Sequence, residues 1–542
     1  MRRYNLIYIL LIKSPAHKAL ALTLPGDINV WKYLFNVTQI PRGSNQGEEF
    51  FRHKKILAYL ENCAKELGHD VYIDKADNII VRMKATPGFE DKPSICLQCH
   101  MDMVCQKDDH VDINMETDPL VPRLVDNKYI MATGTSLGAD DGAGIAVCFG
   151  LLENKEFKHG PLEVLVTRDE ETGLYGAAGL EEGVLKSKYL INVDSEEQNA
   201  VCVGCAGGFV MKLGIPVEHE GLENSILKKI SIKNFVGGHS GCDINLGRAN
   251  PLHIMARLLK KCDQEKFRLV DYTCGSVHNA IPRRCDAVIA IEKAAEEKII
   301  SDLEREFAHV KHEYTRIEND IAIEAVDCVC EKKPFTLEST QKTIDFLNVF
   351  PFGPQKMNFD VAGLVETSIT CAIAKVEKED EVTLTASVRS SSASQLDYMY
   401  KKIGSLCTLA GVTLSEQIGA YVFIFYLLFI ILLLLLLLFN IYYSTIYIYY
   451  IYAYPGWEPD VSNVLTQTLI NSYREVTKVD PKVYAIHAGL ECGLFQSKYP
   501  DMKCTSIGPD LNFPHSPNER LLVSSVDPLY KVLIHTLEQF TQ

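Results

Sequence analysis

The segment Cys96-Leu-Gln-Cys-His-Met-Asp-Met-Val104 sets a histidine and an aspartate two residues apart at the end of an apolar run. In extended backbone alternate side chains share a face, so His100 and Asp102 point the same way. A neutral imidazole is a good zinc ligand, and a carboxylate beside it can hold the second ring nitrogen and fix the tautomer. The same run matches the Cys-x-x-Cys-His pattern of haem attachment. That chemistry needs an exposed segment and an export route, whereas this segment closes a buried strand.

More carboxylates follow. Gly138-Ala-Asp-Asp-Gly-Ala-Gly144 places Asp140 and Asp141 among glycines, where they can approach a metal closely or simply cap a helix. Thr167-Arg-Asp-Glu-Glu-Thr-Gly173 puts three acids directly after an apolar strand. In a partly buried cleft they repel one another unless a divalent cation or a protonated glutamate relieves them. Leu190-Ile-Asn-Val-Asp194 ends another strand in an acid, and Asn512-Phe-Pro-His-Ser-Pro-Asn518 puts His515 in a loop. Together these histidines and carboxylates suffice for two metals sharing a bridging carboxylate. Mixed nitrogen and oxygen donors suit zinc, with manganese or cobalt as alternatives.

The elements that must position these groups are legible from periodicity. Residues 46–67 predict a helix, with Phe51, Ile56, Leu57, Leu60, Cys63, Ala64 and Leu67 on one stripe and Gly68 ending it. Residues 71–73, 79–83, 94–98, 162–167 and 189–193 read as strands, and 142–152 as a helix. Buried strands alternating with helices predict an α/β layer with a largely parallel sheet, whose ligands gather at the carboxyl ends of the strands. From 208 to 418 the texture changes. Strands at 227–234, 285–291 and 381–388 flank helices at 251–262, 294–310 and 394–409, an α+β pattern of ferredoxin-like type. This stretch reads as a domain inserted between a first catalytic segment, 22–207, and a second, 455–542. In the second, helices at 461–476 and 526–540 flank strands at 484–486 and 502–507.

At 542 residues the chain is long enough for two to four domains of about 150 residues. The 47% hydrophobic content supplies ample core, and a net charge of −15 without a basic stripe excludes nucleic acid as a partner. The 17 cysteines follow no disulfide framework, which points to a reducing compartment and a cytoplasmic location. Cys202-Val-Gly-Cys205 lies far from the spacing of a zinc ribbon and reads as buried thiols. His253, His309 and His312 fall on helices and read as packing or surface residues. Residues 1–21 loosely resemble a secretory signal but read as a non-structural leader. The sequon Asn36-Val-Thr38 matters only in a secreted chain.

Residues 421–439 carry no charge and reach the roughly 20 apolar residues that span a bilayer. A transmembrane helix is the default reading, and a membrane-anchored, non-catalytic binding protein the function it would support. A single span, however, would put His515 on the opposite side from His100, Glu171 and Asp194. Two spans need about 40 residues and a turn, more than the run offers. All of 422–452 except Val422, Ser444 and Thr445 are Phe, Leu, Ile, Tyr or Asn, types that A/T-only codons encode. Ala-Tyr stands at both edges, Ala420-Tyr421 and Ala453-Tyr454. Removing 422–454 joins Gly419-Ala-Tyr421 to Pro455-Gly-Trp457. The expectation is an unspliced A/T-rich intron read in frame within the segment 419–454, with a surface insertion as the alternative and no membrane contact in active protein.

The succession His-x-Asp, Gly-x-Asp-Asp-Gly, Asp-Glu-Glu-x-Gly, Asp-Ser-Glu-Glu, Gly-Gly-His-Ser-Gly and His-Ser-Pro resembles the dizinc peptidases of the carboxypeptidase G and carnosinase family. His100-Met-Asp-Met-Val104, Val193-Asp-Ser-Glu-Glu197, Asn279-Ala-Ile-Pro282 and Tyr454-Pro-Gly-Trp457 resemble its aminoacyl-histidine (Xaa-His) dipeptidase branch in particular. The resemblance covers 22–542 apart from the apolar segment. Asp141 stands where bacterial members carry asparagine.

The resemblance implies an α/β catalytic domain with an inserted ferredoxin-like lid and two divalent metal ions, zinc with manganese or cobalt as alternatives. Asp140 bridges them, His100 and Asp194 complete one site, and Glu171 and His515 the other. Glu170 is the general base toward a metal-bridged water, and Asp102 orients His100. His239 of the lid stabilises the oxyanion, through lid closure or from a neighbouring subunit, which leaves a homodimer open. Arg389 is the candidate for the substrate carboxylate, with Asn279 and Glu491 as further pocket residues. The implied activity is hydrolysis of unblocked dipeptides, Xaa-His and β-alanyl-histidine among them. A tripeptide aminopeptidase or an N-acyl-amino-acid hydrolase is the alternative on the same scaffold.

Overall fold

The computed structural model describes residues 15–44, 53–108, 110–359, 361, 363–418 and 453–540. They divide into two compact units. The first comprises Met1–Gly204, Glu458–Ala485 and Leu490–Gln542; the second comprises Cys205–Trp457 and Ile486–Gly489.

The first unit is built on an eight-stranded sheet in the order Asp70–Ile73, Ile79–Met83, Leu162–Thr167, Ile95–His100, Tyr189–Asn192, Lys503–Ser506, Ala200–Cys205, Lys482–Ile486. Its middle strands are parallel: Ile95–His100 pairs with both Leu162–Thr167 and Tyr189–Asn192, which pairs in turn with Lys503–Ser506. Every residue of Leu162–Thr167 and Ile95–His100 is buried, the continuous burial expected of strands covered on both faces. Buried Glu163 is matched by Arg82 at 3.2 Å and by the Ser187 hydroxyl at 2.8 Å. The strand expected at 94–98 runs on to His100, so the imidazole is itself a strand residue.

The helix Lys54–Glu66 buries Ile56, Leu57, Leu60, Cys63 and Ala64, the expected stripe. The start of the 46–67 helix, including Phe51, lies partly outside the described residues. Two further helices were not announced by periodicity. Ile28–Val37 is capped by Asp27, whose carboxylate accepts the Asn29 N–H at 2.8 Å, and it buries Trp31, Leu34 and Phe35. Pro15–Ala21 ends in a fully buried Ala21, with the His17 ring stacked on Phe35. The end of the expected leader is therefore core; residues 1–14 lie outside the described residues.

The second unit carries an antiparallel sheet in the order Ala322–Asp327, Ser225–Lys233, Cys285–Glu292, Phe267–Cys274, Val365–Lys378, Glu381–Ser390, Gly207–Pro216, Thr413–Ile418. The first four strands, with helices Pro251–Lys261 and Glu296–Glu313, trace β-α-β-β-α-β with the fourth strand beside the first. That is the ferredoxin-like arrangement. The last four repeat it with helices Leu337–Val349 and Ala393–Ala410. One ferredoxin-like half is thus nested inside the other, between Gly207–Pro216 and Leu337–Val349. The halves join where Thr273 pairs with Lys375 and Cys274 with Ala374.

The apolar segment interrupts a strand of this sheet. Ile418 pairs with Val210, and the next ladder positions, Phe209 and Gly208, pair with Ala453 and Tyr454. Residues 419–452 lie outside the described residues, so the transmembrane reading falls outside them too; among those described, no helix is long and apolar enough to cross a membrane. Removing 422–454 would leave Ala420-Tyr421 to fill the places of Ala453-Tyr454. We expect the shortened chain to be soluble and active and the full chain to aggregate or enter membranes, measured as the active soluble fraction on expression. A full chain equally soluble and active would show the segment to be a tolerated insertion.

Candidate metal centre

Parallel strands end together at one edge of the sheet, and the acids and histidines come off those ends. His100 closes Ile95–His100, Asp194 lies just beyond Tyr189–Asn192, and Glu170 and Glu171 follow Leu162–Thr167. Asp140 enters from the start of the helix Ala139–Glu153, which departs from helical geometry at Asp140 and Asp141, joined by a cis peptide. The expected helix at 142–152 thus gains an irregular first turn. Its Gly144 has no room for a side chain: a Cβ there would lie 2.3 Å from Asp141 Oδ1 and 2.6 Å from the Val193 carbonyl.

The Asp140 carboxylate divides between two imidazoles. Oδ1 lies 3.0 Å from His100 Nε2 and Oδ2 lies 3.0 Å from His515 Nε2. Asp194 Oδ1 stands 3.5 Å from the same His100 nitrogen, and Glu171 Oε2 stands 2.9 Å from that of His515. Two donor groups result, each with one imidazole, one Asp140 oxygen and one further carboxylate. Donors held at about 2.1 Å by one tetrahedral zinc stand roughly 3.4 Å apart, close to these separations. Glu171 Oε1 is buried with no hydrogen-bond partner among the described residues, a donor atom a cation would satisfy.

The electrostatics agree. Burial pushes the Asp140 carboxyl up, but hydrogen bonds from His100 and His515 outweigh it and hold the group below the usual range. Hydrogen bonds to Asp140 and Glu171 push His515 up to about 11. Burial raises Asp194 to about 6 and Glu170 well above the usual carboxylate range. Carboxylates outnumber imidazoles here, so the enclosed negative charge calls for cations.

Asp102 is fully enclosed and faces His100 Nδ1 at 3.4 Å, an ion-pair separation longer than a hydrogen bond. Its carboxylate also accepts the Glu170 N–H at 3.0 Å and the Glu171 N–H at 3.3 Å. It therefore links His100 to the turn bearing both glutamates. Asp141 accepts the N–H groups of Gly144 at 2.9 Å and His100 at 3.2 Å, and one of its oxygens also lies within reach of a cation shared with His100 and Asp194.

Glu491, the further pocket candidate, is 1% exposed and accepts from Gln98 Nε2 at 2.6 Å and Thr167 Oγ1 at 2.7 Å. Burial raises its carboxyl to about 8. It braces the two strands that end in His100 and the Glu170–Glu171 turn. Cys96 and Cys99 are buried in the central strand with thiols pushed up by burial, which removes the haem reading.

The second unit assembles its own polar group. The two-residue strand Gly238–His239 pairs with Ala280–Ile281, and the Ser240 N–H donates to the Asn279 carbonyl at 2.9 Å. His239 Nδ1 accepts the N–H groups of Gly241 at 3.3 Å and Cys242 at 3.0 Å, so the ring proton belongs on Nε2. Burial, then Arg389, pushes His239 down to about 4, leaving it neutral at pH 7. Arg389 donates to Tyr454 Oη at 2.6 Å and lies 3.3 Å from Ser240 Oγ. Asn279 is exposed.

Residues 96–539 match the peptidase family M20/M25/M40. The chain belongs to that family. It is 32% identical to the cytosol non-specific dipeptidase of Escherichia coli (strain K12) over 515 residues, covering 94% of this chain and 97% of that protein. The crystal structure of aminoacylhistidine dipeptidase from Vibrio alginolyticus matches with a TM-score of 0.81 and 33% identity, over 96% of this chain and 98% of that one. A tripeptidase from Staphylococcus aureus shares the fold at 16% identity and a TM-score of 0.50, over 95% and 98% of the two chains.

In this M20-family chain the sequence motifs name the donors but not the groups that hold their loops. Arg42 and Glu519, both fully enclosed, went unrecognised. Their signal is thin: an arginine in Pro41-Arg-Gly-Ser44 and a glutamate closing His515-Ser-Pro-Asn-Glu519.

Proposed function

We propose that the chain is a metal-dependent dipeptidase acting on unblocked dipeptides, Xaa-His substrates and β-alanyl-histidine among them. The observation that carries this reading is the Asp140 carboxylate, shared between His100 Nε2 and His515 Nε2 and flanked by Asp194 and Glu171. His100, Asp140 and Asp194 would hold one cation, and Glu171, Asp140 and His515 the other. The nitrogen and oxygen donors favour zinc. When bound, the two ions polarise the peptide carbonyl and acidify water.

The chain's own residues do the rest. Glu170, half-buried and raised by burial, takes a proton from the attacking water and returns it to the leaving amine nitrogen as the C–N bond breaks. Asp102 fixes the orientation of Glu170 and Glu171 through their backbone amides. Neutral His239, brought in by lid closure or supplied by a neighbouring subunit, is assigned to offer Nε2–H to the carbonyl oxygen as negative charge develops. Arg389, with Asn279 nearby on the Ala280–Ile281 side, is assigned the C-terminal carboxylate of the substrate, since a guanidinium fork matches a carboxylate. The cytosolic description of the Escherichia coli relative and the cysteine content support a cytoplasmic location. A panel of dipeptides, tripeptides and N-acyl amino acids assayed with zinc, manganese and cobalt tests the reading; preference for tripeptides or acylated substrates would overturn it.

A further inference from the structure

Two oppositely charged, enclosed side chains hold the backbone on either side of the donor cluster. Arg42, 1% exposed, donates Nη1–H to the carbonyls of Met101 at 3.0 Å and Asp102 at 2.6 Å, and Nη2–H to the Gly138 carbonyl. Glu519, 2% exposed, gathers four consecutive amides. Its Oε2 accepts from Leu137 at 2.7 Å and Gly138 at 2.9 Å, and its Oε1 from Ala139 at 2.7 Å and Asp140 at 3.3 Å. We propose that Arg42 and Glu519 are positioning residues that set the His100 and Asp140 loops in ligating register before a cation arrives. The proposal rests on the metallopeptidase reading above.

The connections are direct. Arg42 ties the carbonyls just after His100 to the carbonyl two residues before Asp140. Glu519 fixes the whole approach to Asp140, including its own amide. It stands four residues after His515 and leads into Arg520–Leu522, which pairs with Tyr129–Ala132, the strand before the Asp140 loop. Gly138 shows how tightly the loop is drawn in. It sits at φ 67°, and a Cβ would fall 2.8 Å from Arg42 Nη2 and 2.6 Å from Met103 Sδ, so only glycine fits. Enclosing charged groups is costly, and apolar replacements often serve stability as well or better. What the charges supply is placement. One carboxylate must meet His100 and His515 at 3.0 Å each, and a tilt of its loop would break one side; ligating geometry must hold to about 0.5 Å.

The test uses Glu519→Gln, whose amide turns two N–H groups against either the Leu137 and Gly138 pair or the Ala139 and Asp140 pair. Loss of a group supporting metal ligands typically costs 10–100-fold in affinity or activity. In folded variant, zinc affinity measured by competition with a chromophoric chelator should fall about tenfold or more. The kcat on β-alanyl-histidine should fall by a similar factor, with KM within about twofold. Arg42→Lys should move both in the same direction, because one ammonium cannot replace the planar fork. A folded Glu519→Gln protein with unchanged zinc affinity and kcat would overturn the inference, as would a fall in Tm alone. Hydrogen exchange on unmutated protein is independent of whether the variants fold. The 137–140 amides should be protected in chelator-stripped protein; rapid exchange there that only zinc slows would contradict the proposal. Unmutated protein that takes up no zinc would sink the metallopeptidase reading itself. Variants that match a zinc-binding parent would sink only the positioning role.

Discussion

Glu170→Ala lowers kcat on a dipeptide by about 10²–10⁴-fold, the usual contribution of a general base, while the protein still binds two metal ions. Glu171→Ala, the neighbouring substitution, loses metal as well as activity. The split follows from geometry. Glu171 Oε2 lies 2.9 Å from His515 Nε2, and its other oxygen is buried without a hydrogen-bond partner among the described residues. Among the described residues the Glu170 carboxylate pairs with neither imidazole, and the residue is held through its backbone N–H on Asp102. Metal content by emission spectroscopy beside steady-state kinetics checks both halves. Equal metal loss in the two variants would contradict the assignment.

His239→Ala lowers kcat by about 10²–10³-fold, the cost of removing one oxyanion donor, and leaves metal content unchanged. The ring is neutral and its tautomer is set by the Gly241 and Cys242 amides on Nδ1. It can therefore give a hydrogen bond but is poorly placed to exchange a proton near pH 7. His239→Gln, which keeps an N–H donor, should recover part of the loss. A full kcat in the alanine variant would remove His239 from the mechanism.

His100, Glu171 and Asp194 were legible as candidates because each sits where an apolar strand ends, and apolar strands are the plainest pattern a sequence carries. Leu162–Thr167 was expected at its observed bounds, and with it the position of Glu170 and Glu171. Arg42 and Glu519 were not legible for the opposite reason. Their partners are backbone amides and carbonyls, such as those of Gly138 and Met101, and backbone groups leave no mark on residue type. The partners of Glu491, Gln98 and Thr167, were not legible either, because they become its neighbours only once the sheet forms. The ferredoxin-like texture of 208–418 was correct in kind. Its nesting was hidden because the halves join through the Thr273–Lys375 and Cys274–Ala374 pairs, a contact no periodicity announces.

Zinc titration of chelator-stripped protein, followed by release of histidine from β-alanyl-histidine, bears most directly on the shared Asp140 carboxylate and its two donor groups. Activity should vanish on stripping and return with zinc, saturating at two equivalents per chain. Full hydrolysis by stripped protein, or recovery complete at a single equivalent, would contradict a centre in which Asp140 joins two ions.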